Sequence, residues 1–198
     1  MYNNITKQAF TLAEVLITLA IIGIIAAITI PAMVNYTRDL EFKVGLKKSY
    51  GVVSQAIKSM ASDNGGTIKG VCDTGDGAED MTCFKNIMIK YVKASSSCNG
   101  SIYADMNTFA NCWHADNYWL NGTALASGDL NWWFSQTSSI KLQDGMILNI
   151  FYAPACPPYS TYSSNCGSIT VDVYGAKTPN RCGVDICVFE LLQDHIDP

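Results

Sequence analysis

Glu14 is the one charged residue between Lys7 and Arg38, in a stretch that is otherwise almost wholly apolar. From Val15 to Ile30 the chain runs 16 residues without a charge. An acidic side chain inside a lipid-spanning helix costs about 3 kcal/mol on insertion scales and ordinarily marks a pairing function. The competing reading places Glu14 at the membrane interface, where its carboxylate reaches water. A second group with chemical potential is the set of 8 cysteines: Cys72, Cys83, Cys98, Cys112, Cys156, Cys166, Cys182 and Cys187. All lie beyond the apolar stretch and their number is even, which reads as up to four disulfides in an oxidising compartment. Zinc is disfavoured, because no Cys-x-x-Cys pair occurs and the only histidines are His114 and His195.

Other candidates are weaker. His114 stands two residues after Cys112, but a nucleophile–base pair needs a free thiol, which a disulfide would remove. Nothing resembles a phosphate-binding loop, and the chain is not expected to be an enzyme. Trp113, Trp119, Trp132 and Trp133 crowd together; exposed, they could anchor a sugar or protein partner, and buried, they fill a core. Asp73, Asp76, Glu79 and Asp80 lack the spacing of a calcium-binding hand and read as a solvated loop.

These residues must be held by a few elements. The apolar run from Phe10 to Val34 is long enough to cross a bilayer, at about 20 residues per span. A secretory signal would end its apolar run at a small-residue cleavage site, and a buried core helix would keep a polar face. Beyond Pro31, Phe42, Leu46, Val53, Ile57 and Met60 recur at helical spacing, with Tyr50 between. Asp63-Asn64-Gly65-Gly66 ends that pattern. The spacing predicts one helix of roughly 80 Å that Pro31 should kink or locally melt. A short helix over Met81 to Lys93 is expected within an otherwise loop-like stretch from 67 to 142. Met146 to Tyr152, Ser168 to Tyr174 and Val184 to Leu191 read as strands of a three- or four-stranded antiparallel meander covering the amphipathic helix. Spacing leaves the cysteine connectivity open; the expected pairs are sequence neighbours, Cys72 with Cys83, Cys98 with Cys112, Cys156 with Cys166, and Cys182 with Cys187. The last pair needs the chain to fold back at Gly183.

Charge is unevenly spread. Residues 34 to 62 carry a net of +3, and residues 63 to 198 a net of −7, within an overall −4. That balance argues against nucleic acid as the default partner. A basic segment is thus joined to an acidic remainder. The basic residues after Pro31 oppose a simple positive-inside orientation, but the cysteines place the head outside the cytoplasm.

The N-terminal segment KQAFTLAEVLITLAIIGIIAAITIP resembles the start of type IV pilins and type II secretion pseudopilins. The resemblance covers about 25 residues: a short basic leader, a small residue before the cut, a Phe-Thr-Leu opening, a glutamate fifth after the cut and a proline toward the helix end. Ala9 replaces the usual glycine. The resemblance implies cleavage between Ala9 and Phe10 by a prepilin peptidase and N-methylation of Phe10. It implies that Glu14 pairs with the new amino group of its own or a neighbouring subunit, and that Pro31 serves assembly. The implied organisation is a leader (1–9), a membrane-spanning and filament-core helix (10–33), an amphipathic stem (34–62) and a disulfide-rich head (63–198). The implied fold is α+β, a long N-terminal helix packed on a small antiparallel sheet.

The implied function is structural: a subunit of a pilus or pseudopilus, with other pilins, the peptidase, and an inner-membrane platform with its ATPase as partners. Such a chain would begin as a single-pass protein of a bacterial inner membrane and end in a filament. The rival is a minor tip pilin that binds an adhesion target or a secreted substrate through the tryptophan-rich head. Some pseudopilins bind calcium in a head loop, so Asp172, Asn180 and Asp185 are the candidate ligands, against a plainer reading as turn residues; no other cofactor is expected.

Overall fold

The apolar run and the amphipathic stripe join without a break in one helix, α1, over Leu12–Asp63. The computed structural model describes residues 10–98, 118–124, 137–160, 163–175 and 177–197. The helical backbone continues through Pro31 and is not melted there. The chain divides into two compact units, 1–41 and 42–198, and α1 contributes to each. In the first, Leu16, Ile17, Leu19, Ile21, Ile22 and Ile25 are all exposed, so apolar groups point to every side of the helix.

In the second unit the same helix becomes one-faced. Val53, Ile57 and Met60 are fully buried, whereas Lys47, Gly51, Gln55 and Lys58 face solvent. Tyr50 sets its ring edge-on to Phe189 at 5.6 Å. A second helix, α2, spans Gly77–Met88 and starts earlier than the apolar pattern predicts. Its start is set by Asp76, whose side chain accepts bonds from the Ala78 and Glu79 amides. Asp80 is buried and accepts from the Thr74 amide and hydroxyl, so one of the four acidic residues is built into the helix start, while Asp73, Asp76 and Glu79 are exposed, as expected of a solvated loop.

The strands are β1 (Ala94–Cys98), β2 (Ser138–Leu142), β3 (Ile147–Tyr152), β4 (Pro158–Ser160), β5 (Ser163–Ser164), β6 (Gly167–Asp172), β7 (Ile186–Leu191) and β8 (Ile196–Asp197). Six of them form one antiparallel sheet in the order β1-β2-β3-β6-β7-β8, and β4 and β5 make a separate ribbon. The three strands expected from the sequence are its centre; β1, β2 and β8 widen it. Rows of directly opposed residues, such as Ile140, Leu148 and Val171, or Ile150, Ile169 and Phe189, form the buried face. Val53, Ile57 and Met60 of α1 and Met81, Phe84 and Met88 of α2 complete that core. Each fully buried aliphatic or aromatic side chain contributes about 1.5–3 kcal/mol. Phe84 stacks on Tyr152 at 4.2 Å, and the Tyr152 hydroxyl donates to the Ile68 carbonyl at 2.7 Å. The expected α+β architecture, a long N-terminal helix on a small antiparallel sheet, is the one observed.

Two expected disulfides are present, Cys72–Cys83 and Cys156–Cys166, tying α2 and the β4–β5 ribbon to their surroundings. Cys98 is also disulfide-bonded. Cys112, its expected partner, lies outside the described residues. The expected Cys182–Cys187 bond is not made: both are free thiols. The chain does fold back at Gly183, with the Ile186, Asp185 and Val184 amides all donating to the Arg181 carbonyl. Alternation along β7 then separates the two side chains. Cys187 lies opposite Val171 on the core face, whereas Cys182 packs against Ile147 and Ile186 on the other. Burial, with Asp185 and Cys182 nearby, pushes the Cys187 thiol up to about 11, and burial likewise raises that of Cys182.

Two measurements test this packing. Without reductant at pH 8, Cys182 and Cys187 should react slowly with iodoacetamide in the native protein and promptly once unfolded, adding two labels; no label after unfolding would restore the disulfide. At Gly45, an added Cβ would overlap Val173 Cγ1. Gly45→Ala should therefore lower stability by about 1–2 kcal/mol despite its better helix propensity, with Val173→Ala relieving part of the loss in a double-mutant cycle. Unchanged or raised stability on denaturant titration in detergent would show that α1 does not approach the sheet this closely.

Candidate functional site

The start of α1 concentrates the unusual chemistry. Phe10 and Thr11 precede the helix, and the Val15 amide donates to the Thr11 carbonyl, the first bond of the spiral. The first amides of a helix have no intrahelical acceptor. Here Thr11 and Glu14 answer each other. The Thr11 amide and hydroxyl both donate to Glu14 Oε2, at 2.8 and 2.9 Å, and the Glu14 amide donates back to Thr11 Oγ1 at 3.2 Å. This is the reciprocal Thr-x-x-Glu cap, and it gives Glu14 a local role that reading it as an isolated carboxylate missed. The signal was present in the sequence as a threonine three residues before the glutamate. No donor among the described residues is bonded to Glu14 Oε1, which leaves that oxygen for a cation brought from elsewhere.

Further along, the hydroxyls of Thr18, Thr29 and Thr37 donate to carbonyls three or four residues back. Hydroxyls tied to the backbone in this way add no unpaired donor to the helix surface, which is what a lipid or a dry helix bundle demands. Pro31 lacks an amide, and its neighbour Thr29 bonds the Ile25 carbonyl one turn earlier. The helix is long and apolar enough to cross a membrane, and its most apolar stretch has no buried residue. Ala9, the expected residue before the cut, lies outside the described residues; Phe10 is 88% exposed at the boundary.

Residues 6–30 match a model of this very pattern, described as the prokaryotic N-terminal methylation motif. The segment carries that motif. Over 105 residues the chain is 31% identical to the type IV major pilin protein PilE of Neisseria gonorrhoeae, a match covering 53% of this chain and 59% of that protein. The chain thus spans less than two thirds of the relative's length. No solved structure matches it. The methylation motif overlaps the start of the helix that holds the candidate span, Leu12–Asp63. A single N-terminal apolar helix of this kind fits a membrane-anchored, pilin-like chain.

The other candidate site is built around two buried aspartates and a turn. Asp172 and Asp185 are fully buried and stand close together, because the Val173 amide donates to the Asp185 carbonyl. Yet Asp172 Oδ1 accepts from the Tyr174 and Gly175 amides at 2.9 and 2.8 Å. Asp185 accepts from the Asn180 amide at 2.8 Å and the Arg181 amide at 2.6 Å. Asn180 adopts a left-handed backbone with φ of 50°, as the turn requires. The carboxylates already have ligands, and those ligands are backbone amides. Among the described residues no group of three His, Cys, Asp or Glu side chains is placed to share an ion. Of the tryptophans, Trp119 is described and is partly exposed on a turn closed by Tyr118 and Ala124; Trp113, Trp132, Trp133 and His114 lie outside the described residues.

Asp185→Ala should cost about 2–3 kcal/mol, since it strands one buried and one part-buried amide, and the loss should be the same with calcium or with a chelator. A melting temperature of the unaltered protein that rises with calcium and falls with chelator would instead identify Asp172, Asn180 and Asp185 as ligands.

Proposed function

We propose that this chain is a structural subunit of a type IV pilus or a type II secretion pseudopilus. In this reading a prepilin peptidase cuts between Ala9 and Phe10 and methylates the new amino group of Phe10. The single observation that supports it is an all-round apolar helix opened by Thr11 and Glu14, with one Glu14 oxygen held by Thr11 and the other available. Until assembly, lipid covers that helix; in a filament, the same helices of neighbouring copies replace the lipid. The cationic terminus of Phe10 on one copy meets Glu14 of another, and each ion offsets the desolvation of the other. An entering subunit without the carboxylate leaves a buried cation unpaired, which selects against it. The motor and the inner-membrane platform are separate proteins, since this chain supplies packing surface and not catalysis. The similarity to a major pilin of another organism supports assembly with further copies or with other pilins in a filament that leaves the inner membrane.

Mass spectrometry of the mature protein should show a chain beginning at Phe10 with one methyl group. Glu14→Ala should leave a processed, membrane-resident protein that yields no sheared filament. Glu14→Gln separates the two roles of this side chain, because an amide keeps the helix cap but not the charge. Filament yield from Glu14→Gln equal to the unaltered chain would reduce Glu14 to a capping residue and remove the charge pairing.

A further inference from the structure

Asn-x-Ser or Asn-x-Thr, with x other than Pro, is the acceptor pattern for a sugar joined to an asparagine side chain. It occurs at Asn4-Ile5-Thr6, Asn35-Tyr36-Thr37, Asn99-Gly100-Ser101 and Asn121-Gly122-Thr123. The first and third lie outside the described residues. The second is inside α1, where Thr37 donates its hydroxyl to the Met33 and Val34 carbonyls. The fourth differs: Asn121, Gly122 and Thr123 are all exposed, at the end of a small hairpin.

The hairpin has a defined turn. Tyr118 and Ala124 pair as antiparallel neighbours, and the Trp119 amide donates to the Thr123 carbonyl at 2.8 Å. The Gly122 amide donates to the Trp119 carbonyl at 2.8 Å, closing a turn over Leu120 and Asn121. Gly122 follows with a φ of 84°, the left-handed residue that ends such a three-residue loop and that glycine supplies without strain. Trp119 and Thr123 therefore face each other on one side of the ribbon. The hairpin is fastened to the head, because the Tyr118 amide donates to the Asn180 carbonyl and the Cys182 amide to the Tyr118 carbonyl. Within the turn, Asn121 Oδ1 accepts from the Thr123 amide at 2.9 Å, and Nδ2 has no bonded partner among the described residues. An acceptor must offer that nitrogen to solvent with the hydroxyl residue held close by, and this turn does both.

We infer that Asn121 is a glycosylation site that takes an oligosaccharide from a lipid-linked diphosphate donor outside the cytoplasm. Nδ2 bonds to the anomeric carbon of the first sugar. The bond from that carbon to the diphosphate oxygen breaks, and the lipid diphosphate leaves with the electron pair. One Nδ2 proton passes to a basic group of the transferring enzyme, and nothing is oxidised or reduced. The bond from the Thr123 amide to Oδ1 draws density from the carboxamide and so acidifies the proton that has to leave. Modification at Asn121 needs no filament, only a head outside the cytoplasm, the side to which the disulfides assign it. Trp119 is 39% exposed and Leu120 64%. Across the turn, the C–H face of the first sugar can lie on the Trp119 ring, whose negative face attracts it. The sugar thus covers apolar surface that the hairpin leaves in water.

Mass spectrometry of the full chain purified from its native host tests this. The unaltered chain should carry added saccharide mass, and electron-transfer fragmentation should place it on Asn121. Asn121→Gln and Thr123→Ala should each lose that mass, and Thr123→Ser should keep most of it. The sugar should also raise the melting temperature in detergent by about 2–4 °C over Asn121→Gln, and in a Trp119→Ala background that difference should vanish. Asn121 recovered unmodified, or converted only to aspartate, overturns the assignment, and so does saccharide found on Asn99 or Thr123 alone. A melting gain that survives Trp119→Ala overturns the stacking on that ring.

Discussion

Much in this protein depends on a helix surface that its own unit does not cover. In the first 41 residues the large side chains of α1 point outward on every side and are exposed. Such a helix is not stable facing water; it requires hydrocarbon or other helices like itself. That requirement explains why the threonine hydroxyls fold back onto carbonyls and why the first amides are met by side chains of the same chain. It also explains why, between Lys7 and Arg38, a carboxylate is admitted at one position only, at the helix start.

The second unit solves the opposite problem. Its part of α1 presents a single apolar face, and the sheet exists to cover it. Gly45 lets the helix approach Val173, and Phe84 on Tyr152 closes the side where α2 packs. Disulfides hold the segments with little regular structure of their own: one fixes α2 to the loop before it, and another closes the β4–β5 ribbon.

Periodicity made the long helix legible, because a strict apolar stripe from Leu46 to Met60 has one interpretation. The central strands β3, β6 and β7 were legible for the same reason, being rich in Ile, Val and Phe. Strands β1 and β2 were not, since ASSSC and SSIKL have weak intrinsic strand preference and are held by pairing, β2 to β3 and β1 to β2. The early start of α2 was hidden because Asp76 acts through a cap, which carries no apolar period. The Cys182–Cys187 expectation failed on side-chain direction: the turn that spacing demanded is present, but the strand puts the two thiols on different faces. Glu14 was singled out correctly as the anomalous residue, and its cap partner Thr11 was overlooked because the attention went to charge and not to the helix end.

The cap has a consequence for the order of events in the life of the chain. Every group that closes the first turn, the Thr11 amide and hydroxyl and the Glu14 carboxylate and amide, belongs to residues at or after Thr11. All of these groups would stay in the chain if it is cut before Phe10, as proposed. On that proposal the bonds that close the first turn are common to the chain before and after the cut, and the cut adds a charge at the tip.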